Sequence, residues 1–259
     1  MSRIELVIDG AIGHLRLNRP EKLNALDPAM VDELAVRCRE IEANPDIKVV
    51  ILSGEGKAFC AGGDIEAWAS ESPAKFGRHW VRDGHDAFDA LARLRQPVIA
   101  VLDGHALGGG LEVAACADLR IAEKHIKLGQ PETGLGIIPG WSGTQRAVRR
   151  FGAQIVRRMA LFGELFTAEE ALAQGLVDRV VEPGEGLKAA EETAQAVLRR
   201  GTRATELTKM VINAAEGEER ERILESLAGA LAAGSSELAE GLAAFREKRT
   251  PDFAKGDDE

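Results

Sequence analysis

The sequence predicts an α/β fold, and three observations carry that prediction. VVILSG (49–54) and VIAVLDG (98–104) are continuous runs rich in β-branched residues and closed by glycine, as strands buried on both faces are. Stretches with apolar residues at helical spacing lie between and after them, so strand and helix alternate, as in a largely parallel sheet covered by helices. Each run is also followed by a glycine-rich loop that leads into a helix.

Taken in order, IELVI and HLRLN are short apolar segments around Asp9-Gly10, a dipeptide suited to a tight turn, and they predict an opening β-hairpin. Asp27 and Pro28 read as an N-cap and first helical position; Met30, Val31, Leu34, Cys38 and Ile41 then recur at helical spacing up to Asn44-Pro45. After strand 49–54 the stretch 64–95 is helical with a break at Ser72-Pro73, and after strand 98–104 a helix opens in the glycines near 108 and closes before Asp118. DLRIA (118–122) and IKLG (126–129) predict short strands, and a Gly/Pro-rich segment (129–143) separates them from helices near 143–151, 153–162 and 167–173. LVDRVV (176–181) predicts the last strand. From about 185 the chain is alanine-rich and helical, interrupted at Gly201, Gly217 and Gly234. With no internal repeat and no low-complexity linker, the expectation is one core with a helical appendix.

A chain of 259 residues with 45% hydrophobic and 29% charged residues can bury a sizeable core without disulfide or metal staples. The net charge of −9 gives a field that repels polyanions, so a phosphorylated ligand must be met by local basic residues and backbone donors, and nucleic acid is not the expected partner. The start MSRIELVIDG lacks the parts of a signal peptide, and no apolar run reaches membrane-spanning length, so the expected location is cytoplasmic with no membrane partner. Cys38, Cys60 and Cys116 are odd in number and widely spaced, with no C-x-x-C pair; they read as buried apolar side chains rather than metal ligands.

The sharpest chemical feature is GHALGGGLEVAACAD, where Gly108-Gly109-Gly110 opens a helix. Glycine costs helix stability, so such a run signals either a flexible turn or a backbone that lies directly against a ligand, with N–H groups free to attract negative charge. Glu112 falls one turn beyond the middle glycine, on the same face; it is either a functional carboxylate beside those donors or a first-turn acid favoured by the helix dipole. In GQPETGLGIIPG, Pro131 forces Gln130 out of the helical region and sets Glu132 in a glycine-rich loop, which suits a functional acid as it suits a solvated one. GKAFCAGGDIEAW (56–68) repeats the strand–loop–helix arrangement, with Asp64 as the helix cap and the N–H groups of Ala61 to Gly63 left to point outward. Two such loops at the ends of two central strands can supply two converging donors, the geometry of an oxyanion hole.

These segments, in this order, resemble the enoyl-CoA hydratase/isomerase (crotonase) family. The resemblance covers most of the chain: NRPEKLNAL (18–26), FCAGGDI (59–65), DGHALGGGLEVAACAD (103–118), GQPETGLGIIPGWSGTQR (129–146), LFTAEEALAQGLVDRVV (165–181) and the closing FREKRTPDF (245–253). It implies a spiral core of stacked ββα units over residues 1–198 and a C-terminal helical region, 199–259, that assembles homotrimers or homohexamers. It also implies that the N–H groups matching Ala61 and Gly109 bind a thioester oxygen while the acids matching Glu112 and Glu132 flank the reacting double bond. Lys22, Leu23 and Ala25, with the loop Ala61, Gly62, Gly63, Asp64 and with Gly108, match the wall that holds acyl-CoA, and Lys248 resembles a basic residue near its phosphates. Coenzyme A is then part of the substrate, and neither a separate cofactor nor a metal is expected.

Hydration of a 2-enoyl thioester needs stabilisation of an enolate oxygen, a base for water and an acid for the α-carbon, so two N–H donors and two carboxyl groups form the minimal set. Relatives that only shift a double bond often lack one of the acids, and the presence of both favours a hydratase over an isomerase, a thioester hydrolase or lyase, or a non-enzymatic RNA-binding relative. One departure stands out: after Pro139-Gly140, where such hydratases usually carry small residues, this chain has Trp141. A bulky indole there either narrows the acyl pocket or packs at a subunit boundary. Ser142 lies in GWSG, which lacks the spaced glycines of a nucleophile elbow and reads as a solvated or capping serine; His79 and His85, six residues apart, do not share a helix face for zinc.

Overall fold

The computed structural model describes residues 2–233 and 236–253, with the backbone alone at 221, 222, 224, 225, 231 and 232. The chain divides into two compact units, Met1–Lys209 and Met210–Glu259, so the division falls later than the 198/199 boundary read from the sequence.

In the first unit the strands are β1 (Ile4–Asp9), β2 (Ile12–Leu17), β3 (Val49–Gly54), β4 (Val98–Leu102), β5 (Ala106–Leu107), β6 (Leu119–Glu123), β7 (Lys127–Gly129), β8 (Leu165–Thr167) and β9 (Arg179–Val181). Six form one sheet in the order β1-β2-β3-β4-β6-β9, parallel except for the β1–β2 hairpin; the others form a small sheet, β5-β7-β8. The hairpin turns through Gly10, whose φ of +57° favours glycine. β5 and β8, of two and three residues, carry too short a pattern to be read in advance.

Alternation along the central strands explains why they are apolar throughout. Val50 and Leu52 of β3 and Ala100 and Leu102 of β4 face the larger core, whereas Val49, Ile51, Ile99 and Val101 face a second core on the other side. The larger core is covered by α1 (Pro28–Ala43), which buries Met30, Val31, Leu34, Cys38 and Ile41, as its spacing predicts. Asp27 caps it, its Oδ1 accepting from Met30 N at 2.9 Å.

The predicted helical stretch 64–95 is resolved into α2 (Ile65–Trp68), a break, α3 (Pro73–Lys75), a π-helical turn over Phe76–Val81, and α4 (Arg82–Ala92). A widened turn of this kind is uncommon and recurs at functional sites. Next come α5 (Gly109–Ala114), α6 (Arg146–Phe151), α7 (Ala153–Phe162), α8 (Ala168–Ala173) and α9 (Gly186–Leu198). Ala189, Ala190 and Ala194 of α9 close the second core. Helix α10 (Thr202–Ala215) spans the division between the units, and the second unit contains α11 (Arg220–Ala233) and α12 (Ser236–Glu247). Among the described residues, no helix is long and apolar enough to cross a membrane. Cys38, Cys60 and Cys116 are buried and are not joined in disulfides.

Candidate active site

The two glycine loops are tied to each other before any ligand is considered. The segment that follows β3 runs between residues 23–26 on one side and 105–107 on the other, with isolated parallel pairings of Leu26 with Gly63 and of Cys60 with Ala106. Cys60 N–H goes to His105 O, Ala61 N–H to Leu23 O at 3.0 Å, and Asp64 N–H to Leu26 O at 2.7 Å, which leaves the N–H groups of Gly62 and Gly63 without a backbone acceptor. Gly109, at the first position of α5, has no intrahelical acceptor for its own N–H.

The Gly63 and Gly109 donors lie side by side, since a Cβ built on Gly109 would come within 3.3 Å of Gly63 N. This corrects the expected pair. Ala61 N–H is committed to the Leu23 carbonyl, and of the two N–H groups left over it is that of Gly63, two residues on, that lies nearest the Gly109 Cβ position. Gly108 must be glycine twice over: its φ is +53°, and a Cβ there would come within 2.9 Å of Glu132 Oε1.

The donors open on a cleft of about 610 Å³, whose lining includes Gly63, Gly109, Glu112, Glu132, Trp80 and Trp141. Glu112 projects from α5 and is 3% exposed; its Oε1 accepts from Trp141 N and from Gly143 N, each at 2.7 Å. The second oxygen is left for the cleft. Gln130, wholly buried, donates from Nε2 to Gly143 O at 3.0 Å and so holds the loop that supplies those donors. Ser142 lies between the two donors at a left-handed φ of +76°, and its hydroxyl is 3.0 Å from His85 Nδ1. Ser142 is 7% exposed, so it is a buried partner of a histidine rather than a solvated serine.

Glu132 is presented by the 3-10 turn Glu132–Leu135, and both of its carboxyl oxygens are buried without a hydrogen-bond partner. Such an acid stays neutral or waits for a ligand. Burial is the chief cause that raises both acids, Glu112 to about 8 and Glu132 to about 7; the charge of Glu132 adds to the rise at Glu112, and the two N–H donors and Arg146 oppose it. Because the charge of one acid bears on the other, the two values belong to the pair rather than to either acid alone. Two N–H donors act for charge on Glu112, whereas at Glu132 only its own backbone N–H does, so the hydrogen bonds favour the charge on Glu112 while burial opposes it on both.

Trp141 is 3% exposed and packs inside the first unit, not at a subunit boundary. Its indole contacts Trp80 (centroids 4.8 Å apart) and Phe88 (5.2 Å), and its Nε1 donates to Trp80 O at 2.9 Å. The other expected contacts are dispersed. Lys22, Leu23 and Ala25 do lie beside the Ala61–Asp64 segment through Ala61 N–Leu23 O, with Lys22 Nζ 2.8 Å from Glu66 and Leu23 48% exposed. Asp64 caps α2 through Glu66 N, as expected, and also pairs with Arg19 at 2.7 Å. Lys248 lies in the second unit, just past α12. Among the described residues no group of three or more His, Cys, Asp or Glu could hold a metal ion. Sequence reasoning gave Gly63 a place in the wall but not in the oxyanion hole, and missed the parts played by Gln130, Gly143 and Gly84; Gln130 and Gly143 lay within a segment already singled out, whereas Gly84 did not.

The chain is similar to known proteins over nearly its whole length. The sequence model of the family described as Enoyl-CoA hydratase/isomerase matches residues 8–256. The chain is 36% identical to a crotonyl-CoA hydratase from Syntrophomonas wolfei, over 92% of this chain and 93% of that one. It is 37% identical to a probable enoyl-CoA hydratase from Mycobacterium leprae, over 96% and 97%. The crystal structure of an enoyl-CoA hydratase from Bacillus anthracis is similar with a TM-score of 0.79 at 34% identity, covering 97% of this chain and 98% of that one.

Proposed function

The chain belongs to the enoyl-CoA hydratase/isomerase family, and we propose that it is an enoyl-CoA hydratase, a hydro-lyase that adds water across the double bond of a 2-enoyl-CoA thioester. The observation that carries the residue assignment is the pair of unlike carboxyls facing one cleft beside two free N–H groups.

The thioester oxygen accepts from Gly63 N–H and Gly109 N–H, which are preorganised because their loops are already bound to each other. Glu112, aligned through Oε1, uses its other oxygen to take a proton from water as the water oxygen bonds to the β-carbon. The double-bond electrons move to the thioester oxygen as an enolate. As the enolate collapses, Glu132 gives its proton to the α-carbon. One water has then been added, and return of the proton from Glu112 to Glu132 resets the pair. Each donor in such a hole typically lowers the barrier by about 2.7–4 kcal/mol.

Loss of conjugated absorbance from crotonyl-CoA tests this reading. Hydration that collapses in both Glu112→Gln and Glu132→Gln supports it, and native rates in either variant would overturn the role given to that acid.

Assembly into trimers or paired trimers is part of the same proposal. Leu238, Leu242 and Phe245 of α12 are 42%, 45% and 83% exposed, more apolar surface than a solvated helix needs. The sequence assigns to the same apolar face Leu224, Leu227 and Leu231 of α11; Leu227 is half-buried, and the side chains of Leu224 and Leu231 lie outside the described residues. A light-scattering mass of one chain at micromolar concentration would refute assembly.

A further inference from the structure

We infer that Trp141 and Trp80 together close the acyl end of the cleft, so that the enzyme takes short, uncharged 2-enoyl groups, with Trp80 as the partition between this cleft and a second one that longer tails could otherwise enter. The inference rests on the hydratase reading above and adds the substrate range and the residues that set it.

The first observation is where the indoles stand. A Cβ on Gly109 would lie 2.9 Å from the Trp141 ring, and a Cβ on Gly63 would lie 2.9 Å from Trp80 and 3.6 Å from Trp141. The two rings therefore lie directly against both residues that hold the thioester oxygen. The Trp141 backbone also holds Glu112, which places the ring next to the group that delivers water to the β-carbon. A tail that continues past that carbon meets the aromatic pair.

The second observation is that the wall is built in rather than incidental. Gly84 is buried in the interior of α4, where glycine costs about 1 kcal/mol relative to alanine. A Cβ at Gly84 would fall 2.0 Å from Trp141 Nε1, so the indole occupies the space that any other residue would fill. The Nε1 donor is used on Trp80 O, the carbonyl of a residue in the π-helical turn, which couples the two tryptophans. Phe88, one helical turn beyond Gly84, braces the other side of the indole. A ring so fixed cannot swing aside for a long chain.

The third observation concerns what lies behind. Trp80 lines the acyl cleft and also a neighbouring, solvent-open cleft whose wall is apolar at Pro28, Val31 and Ala67 and charged or polar at its rim, with Asp32, Glu71, Lys75, His79 and Asp83. Truncating Trp80 would join the two. Within the acyl cleft itself the side chains are apolar apart from Glu112 and Glu132, so an acyl group with a terminal carboxylate would meet two acids and no cation.

The test compares kcat/KM for crotonyl-CoA, 2-octenoyl-CoA and 2-decenoyl-CoA in the wild type, Trp80→Ala and Trp141→Leu. The decenoyl-to-crotonyl ratio is the readout because a loss of folded or active enzyme cancels from it. The wild type should favour crotonyl-CoA by about tenfold or more, and Trp80→Ala should raise the ratio by at least about tenfold, as pocket contacts worth a few methylenes do. Trp141→Leu should raise it in the same direction, and Trp80→Ala carries the test if Trp141→Leu does not fold. Equal wild-type rates across the three lengths, or a ratio unmoved in Trp80→Ala, would overturn the inference and leave the hydratase reading intact. Failure to hydrate any ester, crotonyl-CoA included, would remove the hydratase reading and this inference with it.

Discussion

Glu112 and Glu132 reach one cleft from two regions that treat the same side chain in opposite ways. The segment 140–143 wraps Glu112 with two N–H donors and is itself held by Gln130 and by the Ser142–His85 contact. The turn that begins at Glu132 gives its carboxyl no donor beyond its own N–H, and the nearest backbone, Gly108, approaches without donating to it. On the proposed mechanism this difference is what would make one residue type base and acid in one pocket: donors fix the geometry and favour charge, whereas desolvation favours the proton.

The largest expected effects would break this contrast outright. Glu112→Gln and Glu132→Gln should each lower kcat for hydration by about 10²–10⁴-fold, and the double variant should lose less than the product of the two, because the acids act in one sequence. Isomerisation of a 3-enoyl thioester requires only removal and return of carbon-bound protons, so it should survive better in Glu112→Gln than in Glu132→Gln. Equal losses in isomerisation would mean that the roles are not divided as the donors suggest. Next in size is Gly109→Val, which should cost about 10²–10³-fold in kcat as a branched side chain meets Trp141 and shifts a donor; full activity in a folded variant would exclude Gly109 from the oxyanion hole.

Smaller effects sharpen the contrast. Ser142→Ala removes the contact to His85 and loosens the donors of Glu112 without touching Glu132, so hydration should fall by about three- to thirtyfold, with kcat affected more than KM. A matching loss in isomerisation would show that the segment serves both acids. The pH profile of kcat/KM should be bell-shaped between about 7 and 8, falling on the acid side as the pair takes up its second proton and on the alkaline side as the first one leaves.

The smallest effect is on stability. Both carboxyls have folded values above the ordinary 4.5, so the fold binds extra protons, and stability should decline as pH rises from about 4.5 through 7–8. Glu132→Gln should flatten that decline and raise Tm by a few degrees above pH 8; a parallel pH–Tm curve would mean that Glu132 is not raised in the fold.

Much of this was legible in the sequence, for physical reasons. Val49 to Leu52 and Val98 to Leu102 are apolar on both faces because two cores need them, and Asp27-Pro28 and the glycine run at 108–110 are local signals with local causes. Glu112 and Glu132 could be picked out because each sits beside glycines that bring backbone close. Gly63 was missed as the donor because the choice depends on the distant Leu23 carbonyl, which takes Ala61 N–H, and on which remaining N–H the fold sets against Gly109. The seating of Trp141 on Gly84 was illegible for a similar reason. Each residue breaks a local habit by itself, glycine inside a helix and tryptophan after Pro-Gly, and only their meeting in space explains both.

The aromatic wall has an optical consequence. The chain contains three tryptophans and no tyrosine, and Trp68, Trp80 and Trp141 all line the acyl cleft. Its ultraviolet emission therefore comes from the reacting end of the pocket alone, with no background from elsewhere in the protein. Trp68 and Trp80 are half-buried whereas Trp141 is buried, so a ligand in the cleft should displace water from the first two and shift the emission wavelength. Each tryptophan replaced in turn would show which stretch of the acyl tail that ring senses.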